Sequence, residues 1–211
     1  MDTISFKKVP ESLPTFLEHC ERTTAKARQS VVRAGETADT LYYVIHGTLE
    51  IVLEDEAGRQ LIISYLNDGD FFGEMGLFDG ESSRSAGITA KTNAEIASIS
   101  YQRFMEIRGT FPDIIETLAA QMARRLRKTT NKVGDLAFMD VSGRIARSLM
   151  DLCEQPDAMS HPQGMQIRIT RQDIGKIVGC SREMAGRVLK NLEEQGLIEA
   201  HGKTIIIYGT R

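Results

Sequence analysis

The sequence predicts an α+β chain: an all-β front, one long helix, and a small helical domain closed by a hairpin. Three observations carry this reading. Turn signals at Gly35, Gly47, Gly58 and Gly69 recur at close to the regular spacing of a β-barrel or sandwich. Between Asp113 and Phe138 the apolar pattern steps by three or four residues. Beyond Val141, two short amphipathic segments flank Gly179-Cys180. The implied divisions are 1–111, 112–138 and 139–211.

Taken in order, Glu11–Cys20 reads as a short amphipathic helix, and β texture runs from about residue 28 to 107. Leu41–Ile45 is a continuous apolar strand, His46-Gly47 a turn, and Thr48–Leu53 the next strand. Asp55–Gly58 turns the chain into Leu61–Leu66, and Ile96–Tyr101 reads as a late strand of the same barrel. Pro112 is placed to open a helix. Along that helix Ile115, Leu118, Met122, Leu126, Thr129, Val133 and Leu136 form one narrow stripe. Such a stripe suits either a two-helix seam or a helix docked on its own domain. The remainder reads as a helix (Val141–Cys153), a polar loop (Glu154–Gly164), a strand (Met165–Ile169), two helices, and a hairpin over Ile198–Tyr208.

Composition removes several function classes. With 41% hydrophobic and 26% charged residues, the chain falls in the globular range and is not disordered throughout. No apolar run reaches the ~18 residues of a spanning helix, and the first eight residues lack a signal-peptide pattern, so a cytoplasmic protein without membrane attachment is expected. Cys20, Cys153 and Cys180 lie far apart with no C-x-x-C pair, and the four His are scattered, so neither a disulfide framework nor a metal site is expected. No G-x-S-x-G, H-E-x-x-H or P-loop motif occurs, and the chain is not expected to be an enzyme. The net charge of −3 divides unevenly, because residues 141–211 hold 10 Lys+Arg against 8 Asp+Glu. A mildly basic tail behind an acidic front suggests two parts with different partners.

The most chemical stretch is Gly73-Glu-Met-Gly-Leu-Phe-Asp-Gly-Glu-Ser-Ser-Arg-Ser-Ala86. Gly73 and Gly76 permit close backbone approach, and Met75–Phe78 can form a helical turn whose N–H groups face an anion. Arg84 and Ser85 suit phosphate oxygens, whereas Glu74 suits a sugar hydroxyl. The set fits a ribose-phosphate ligand. It also fits a glycine-rich surface turn in which Arg84 pairs with Glu81 or Glu74.

In the tail, Thr170 can cap a helix carrying Ile174, Ile177 and Val178, and Ser181 a second carrying Met184, Ala185, Val188, Leu189 and Leu192. Two short helices about a Gly-containing turn form the unit that lays its second helix in the DNA major groove. Arg182, Glu183 and Arg187 occupy that helix's outward face and favour G·C pairs. Arg171, Gln172, Ser181, Lys190 and His201 are better placed for phosphates.

Gly73-Glu74…Arg84-Ser85 within a β-barrel resembles the phosphate-binding cassette of the bacterial cyclic-AMP receptor proteins, or catabolite activators. The similarity runs from about Phe16 to Arg211, through stretches such as Gln121–Leu126, Gln155–Met159 and Gly202–Thr204. The resemblance implies a jelly-roll cyclic-nucleotide-binding barrel, a dimerisation helix and a winged helix-turn-helix. It implies a homodimeric transcription regulator that binds cyclic AMP and TGTGA-like palindromic double-stranded DNA. It assigns Gly73, Glu74, Arg84 and Ser85 to ribose and cyclic phosphate, and Thr129 and Thr130 to adenine, one from each subunit. RNA polymerase is the implied further partner, although Glu21 and Thr23 stand where that family's polymerase-contacting His residues are expected, with His19 and Arg103 nearby. A variant reading keeps the DNA binder but gates it with cyclic di-GMP, or with no ligand.

Overall fold

The computed structural model describes residues 9–210. The N-terminal octapeptide read for a signal pattern lies outside the described residues. Two compact units divide inside the long helix: the first ends at Thr129, and the second begins at Thr130 and takes in Arg59–Leu61.

The first unit opens with α1 (Leu13–Leu17), β1 (Glu21–Ala25), β2 (Ser30–Val32), β3 (Thr40–His46), β4 (Leu49–Glu54) and β5 (Gln60–Leu66). It continues through β6 (Phe71–Phe72), α2 (Met75–Asp79), β7 (Gly87–Ala90), β8 (Ala94–Ser100), α3 (Tyr101–Ile107) and α4 (Pro112–Phe138). The strands form two four-stranded sheets, ordered β1-β8-β3-β6 and β2-β7-β4-β5. This is the strand order of an eight-stranded jelly roll, built as two sheets rather than one closed ladder.

The apolar runs follow from burial on both faces. Val44, Phe72, Ala94 and Ile96 point between the sheets, against Val32, Leu49, Leu66 and Ile88. Leu41, Tyr43, Phe71, Ala97 and Ile99 point the other way, against Leu13 and Phe16 of α1, Phe104 of α3, Phe111, and Ile114 and Leu118 of α4. Strand β1 escapes the apolar pattern because it is an edge, with only Ala25 buried. Tyr101, expected to end a strand, instead begins α3, because the Ser100 hydroxyl accepts from the Arg103 N–H and caps a helix there.

Helix α4 begins at Pro112, as the sequence implies. Its apolar stripe is divided: Leu118 is buried on the jelly roll, while Leu126 and Val133 are 69% and 60% exposed. The docked reading of the stripe therefore holds on the early turns, and the later turns leave it exposed.

The second unit continues with α5 (Val141–Cys153), β9 (Met159–His161), β10 (Gly164–Arg168), α6 (Arg171–Val178), α7 (Arg182–Glu194), β11 (Ile198–His201) and β12 (Thr204–Tyr208). The loop expected over Glu154–Gly164 contains β9, whose Met159 and Ser160 are exposed along the edge of a sheet ordered β11-β12-β10-β9. Ile145 and Leu149 of α5, Ile174 of α6 and Ala185 and Leu189 of α7 are buried, as are Ile205–Ile207 of β12.

Within this unit Arg147 pairs with Asp135 at 3.1 Å, and Lys132 is attracted to Asp151 and Asp135. Burial outweighs those carboxylates and pushes the Lys132 amine down to about 8 from 10.5. Between these pH values the unfolded chain holds a proton that the folded chain has lost, so stability from this group rises with pH across that window. Below pH 8 the folded amine is charged and the full desolvation cost applies. Lys132→Met is expected to raise the unfolding midpoint by a few degrees at pH 7, with the gain shrinking toward pH 10.5. Thermal unfolding of parent and variant across that range checks this, and a pH-independent gain contradicts it.

Candidate functional site

Strand β6 ends at Phe72, and Gly73, with a φ of +75°, turns the chain out of the sheet. A Cβ there would lie 2.7 Å from Arg84 Nη1 and 2.9 Å from the Thr40 carbonyl, so only glycine fits. One turn of helix, α2, follows and ends at Gly80 in the left-handed region. The returning segment is fixed by backbone bonds: Gly35 N–H to Arg84 O, Arg84 N–H to Glu36 O, and Ala38 N–H to Ser82 O.

Arg84 is 8% exposed. Its Nη1 donates to the Gly73 carbonyl at 3.0 Å and to the Tyr101 hydroxyl at 3.2 Å. Its Nη2 donates to the Thr40 carbonyl at 2.7 Å. The rings of Tyr42 and Tyr101 lie 5.5 and 5.8 Å from the guanidinium carbon. Glu74 is 6% exposed and pairs with Arg125 of α4 at 3.0 Å. These contacts replace the surface turn in which Arg84 pairs with Glu81 or Glu74. Each ionic side chain is instead buried with its own partners.

Arg125 also donates from Nη2 to the Phe71 carbonyl. One turn earlier, buried Gln121 accepts from the Phe71 N–H at 2.8 Å and donates to the Gly69 carbonyl at 2.8 Å. Neither Arg125, Gln121 nor Tyr101 was singled out by sequence reasoning. Ile114, Leu118, Gln121 and Arg125 follow helical spacing, so the signal for a docked face ending in polar residues was available.

The structure thus brings Gly73, Glu74 and Arg84 together around α2. Ser85 is exposed beside them, its hydroxyl 3.6 Å from the Met75 sulfur. Thr129 and Thr130 lie exposed on α4, one turn and slightly more beyond Arg125. The donor set fits a ribose-phosphate: Nη1 of Arg84 faces the Gly73 and Tyr101 oxygens and Nη2 the Thr40 carbonyl, which leaves Nε–H and one Nη2–H as a side-on pair. A buried carboxylate accepts from a hydroxyl.

In the second unit, Thr170 and Ser181 cap α6 and α7 through the Asp173 and Met184 N–H groups. Gly179, at φ +71°, makes the turn between them. A Cβ at Gly175 would stand 2.6 Å from the Cys180 carbonyl, so that glycine sets the close helix–turn packing. Arg171, Gln172, Ser181, Arg182, Glu183, Arg187, Lys190 and His201 are all exposed. The Arg171 side chain passes Gly186, 3.5 Å from where its Cβ would be, and so lies alongside α7.

Hydrogen bonds from its own backbone N–H and from Ser181 hold the Glu183 carboxyl below its ordinary range, helped by Arg182 and Arg187. It is therefore an acceptor at neutral pH. His201 Nε2 lies 2.7 Å from Glu199, which also accepts from the Tyr208 hydroxyl at 2.9 Å. These two bonds hold the Glu199 carboxyl below the usual range. The hairpin tip therefore carries an oriented imidazole.

Arg84→Leu is expected to leave the Thr40 carbonyl without its guanidinium donor, costing about 1–3 kcal/mol for the unsatisfied group. Ser85→Ala, at an exposed hydroxyl, is expected to change stability by under about 0.5 kcal/mol. Denaturant unfolding of the ligand-free proteins compares them, and equal stabilities would contradict a structural role for the buried guanidinium.

Residues 22–110 match the family described as Cyclic nucleotide-binding domain, and residues 143–208 match the Crp-like helix-turn-helix domain. The chain is 57% identical over 202 residues to the cAMP-activated global transcriptional regulator Vfr of Pseudomonas aeruginosa, covering 94% of each chain. It is 55% identical over 205 residues to the cAMP-activated global transcriptional regulator CRP of Escherichia coli O157:H7, covering 96% of this chain and 98% of the relative. Among solved structures, the c-di-GMP responsive global regulator CLP of Xanthomonas campestris matches at 45% identity with a TM-score of 0.89. That match covers 94% of this chain and 99% of the other.

Proposed function

Because the chain belongs to the CRP family of transcription regulators, we propose that it is a homodimeric, cyclic-AMP-dependent regulator of double-stranded operator DNA. One observation carries the ligand half: a buried carboxylate and a buried guanidinium flank a single helical turn, each held by other partners than the other. Arg84 and Ser85 take the cyclic phosphate, and Glu74, sharing Arg125, accepts the ribose hydroxyl. Gly73 gives the backbone access. Thr129 and Thr130 supply hydroxyls to adenine across the dimer. The exposed Leu126 and Val133 are the apolar surface that a second copy of α4 covers. RNA polymerase is the further partner of a regulator of this kind. The Vfr and CRP relatives, named as transcriptional regulators, favour this reading over an enzymatic one.

Cyclic AMP bridging two copies of α4 would act only through contacts that differ between conformations. Gel shift on a palindromic TGTGA-containing duplex tests the proposal without nucleotide and with cyclic AMP, cyclic GMP or cyclic di-GMP. A large gain in DNA affinity with cyclic AMP is expected. The similarity to the CLP structure makes cyclic di-GMP the informative competitor. A gain with cyclic di-GMP and none with cyclic AMP would reverse the ligand assignment.

On the DNA side, Arg182, Glu183 and Arg187 read base edges, while Arg171, Gln172, Ser181, Lys190 and His201 hold phosphates. Glu183→Ala is expected to relax discrimination at one base pair by about 1–3 kcal/mol. Lys190→Ala is expected to weaken all sequences alike and to flatten the salt dependence. Binding to a library of single-base operator variants separates the two. Uniform losses in both proteins would overturn the division into readers and anchors.

A further inference from the structure

Resting on the cyclic-nucleotide reading of the cradle, we infer that Tyr101 is a positioning residue for the ligand phosphate, setting the orientation of the Arg84 guanidinium from behind. Tyr101 is the first residue of α3. Its place is fixed by its own N–H, which donates to the Asp39 carbonyl at 2.7 Å, and by the Ser100 cap beside it. From there the phenol reaches beneath the turn at Gly73. Its hydroxyl donates to the Gly73 carbonyl and accepts from Arg84 Nη1 at 3.2 Å. Arg84 Nη1 itself donates to that same carbonyl at 3.0 Å. The three groups close a triangle of hydrogen bonds around one backbone oxygen.

This triangle decides which edge of the guanidinium faces outward. Nη1 is engaged by the Gly73 carbonyl and the Tyr101 hydroxyl, which are bonded to each other and so lie on one side of it, and one Nη2 proton is held by Thr40. The unengaged pair is Nε–H with Nη2–H, the side-on fork that matches two oxygens of a phosphate. Without the phenolic oxygen, Nη1 keeps only the Gly73 carbonyl as acceptor and the fork is free to tilt. The phenol also limits the room beside the ligand turn: a Cβ at Gly76 would lie 3.3 Å from the Tyr101 hydroxyl. Burial, outweighing the nearby guanidinium, holds the Tyr101 phenol above its ordinary range, so it remains a donor to Gly73 at neutral and mildly alkaline pH. No covalent chemistry is involved; the residue acts through Arg84.

The test is a double-mutant cycle with cyclic AMP as titrant, read by calorimetry on full-length parent, Tyr101→Phe, Arg84→Lys and the double variant. Tyr101→Phe keeps the ring over the guanidinium and removes only the oxygen. It is expected to weaken cyclic AMP binding about tenfold in the parent background, the scale of one charge-assisted hydrogen bond. In the Arg84→Lys background, where no fork remains to orient, the same change is expected to cost less than about twofold. Thermal midpoints of the ligand-free proteins are measured in parallel, so that a loss of folding is seen as such. Unchanged affinity in Tyr101→Phe overturns the inference. Equal losses in both backgrounds also overturn it, because Tyr101 would then act on the cradle at large. Failure of the parent to bind cyclic AMP overturns the ligand reading itself, and this inference with it.

Discussion

Phe71 and Phe72 send their rings to opposite faces of one sheet, and β6, which they form, is that sheet's edge. An edge strand buried on both faces leaves outward backbone groups that no neighbouring strand takes up. Helix α4 takes them up with side chains. Gln121 accepts from the Phe71 N–H, and Arg125 donates to the Phe71 carbonyl. The helix therefore stands where another strand would stand, bonded to the residues that then turn at Gly73 into the cradle. Its position is set by hydrogen-bond register as well as by apolar packing, which a slipped helix would break at both residues.

The same docking explains how two guanidinium groups are tolerated in a nearly dry site. Isolated buried ions cost several kcal/mol unless paired and fully hydrogen-bonded. Arg125 has the Glu74 carboxylate, whereas Arg84 has only neutral oxygens from Gly73, Thr40 and Tyr101. Among the described residues no buried side-chain nitrogen or oxygen lacks a partner. The Arg84 charge is thus hydrogen-bonded but not neutralised. A site built this way favours an anion, because an arriving phosphate supplies the compensating charge that the protein withholds.

The sequence announced those features whose causes are local. Continuous apolar runs at Leu41–Ile45 and Phe71-Phe72 reflect burial on both faces, and Thr170, Gly179 and Ser181 fix the two C-terminal helices through caps and a left-handed turn. The stretch from Gly73 to Ser85 was readable because its residue types are unusual for a turn. What escaped depends on tertiary partners. Strand β1 is polar because one sheet neighbour is all it has. Arg125 sits between Arg124 and Leu126 in a basic run, where only the docked face distinguishes it. Tyr101 follows the alternation of β8, and nothing in its neighbours shows that its hydroxyl meets Gly73.

Helix α4 carries two faces that cannot serve one partner. Ile114, Leu118, Gln121 and Arg125 are committed to the jelly roll, while Leu126 and Val133, seven residues apart, are exposed. Seven-residue spacing is that of a coiled-coil seam, and Thr129 falls between them on the same edge. In the proposed dimer a hydroxyl at a seam position weakens apolar packing but fixes register. It also gives a bound adenine something to hydrogen-bond that the free dimer must leave to water. Arg125, one turn before Thr129, meanwhile ties the same helix to Glu74. In the proposed complex, ligand contacts at the ribose and at the seam would thus converge on adjacent turns of one helix, where a change in how two copies pack would be felt at both. A phosphate held by Arg84 alone has no such lever, since its partners Gly73, Thr40 and Tyr101 all belong to the jelly roll and α3. On the proposed reading, anchoring and switching are therefore separable tasks in this site: the guanidinium would fix the ligand, and the α4 side chains would give its presence a consequence.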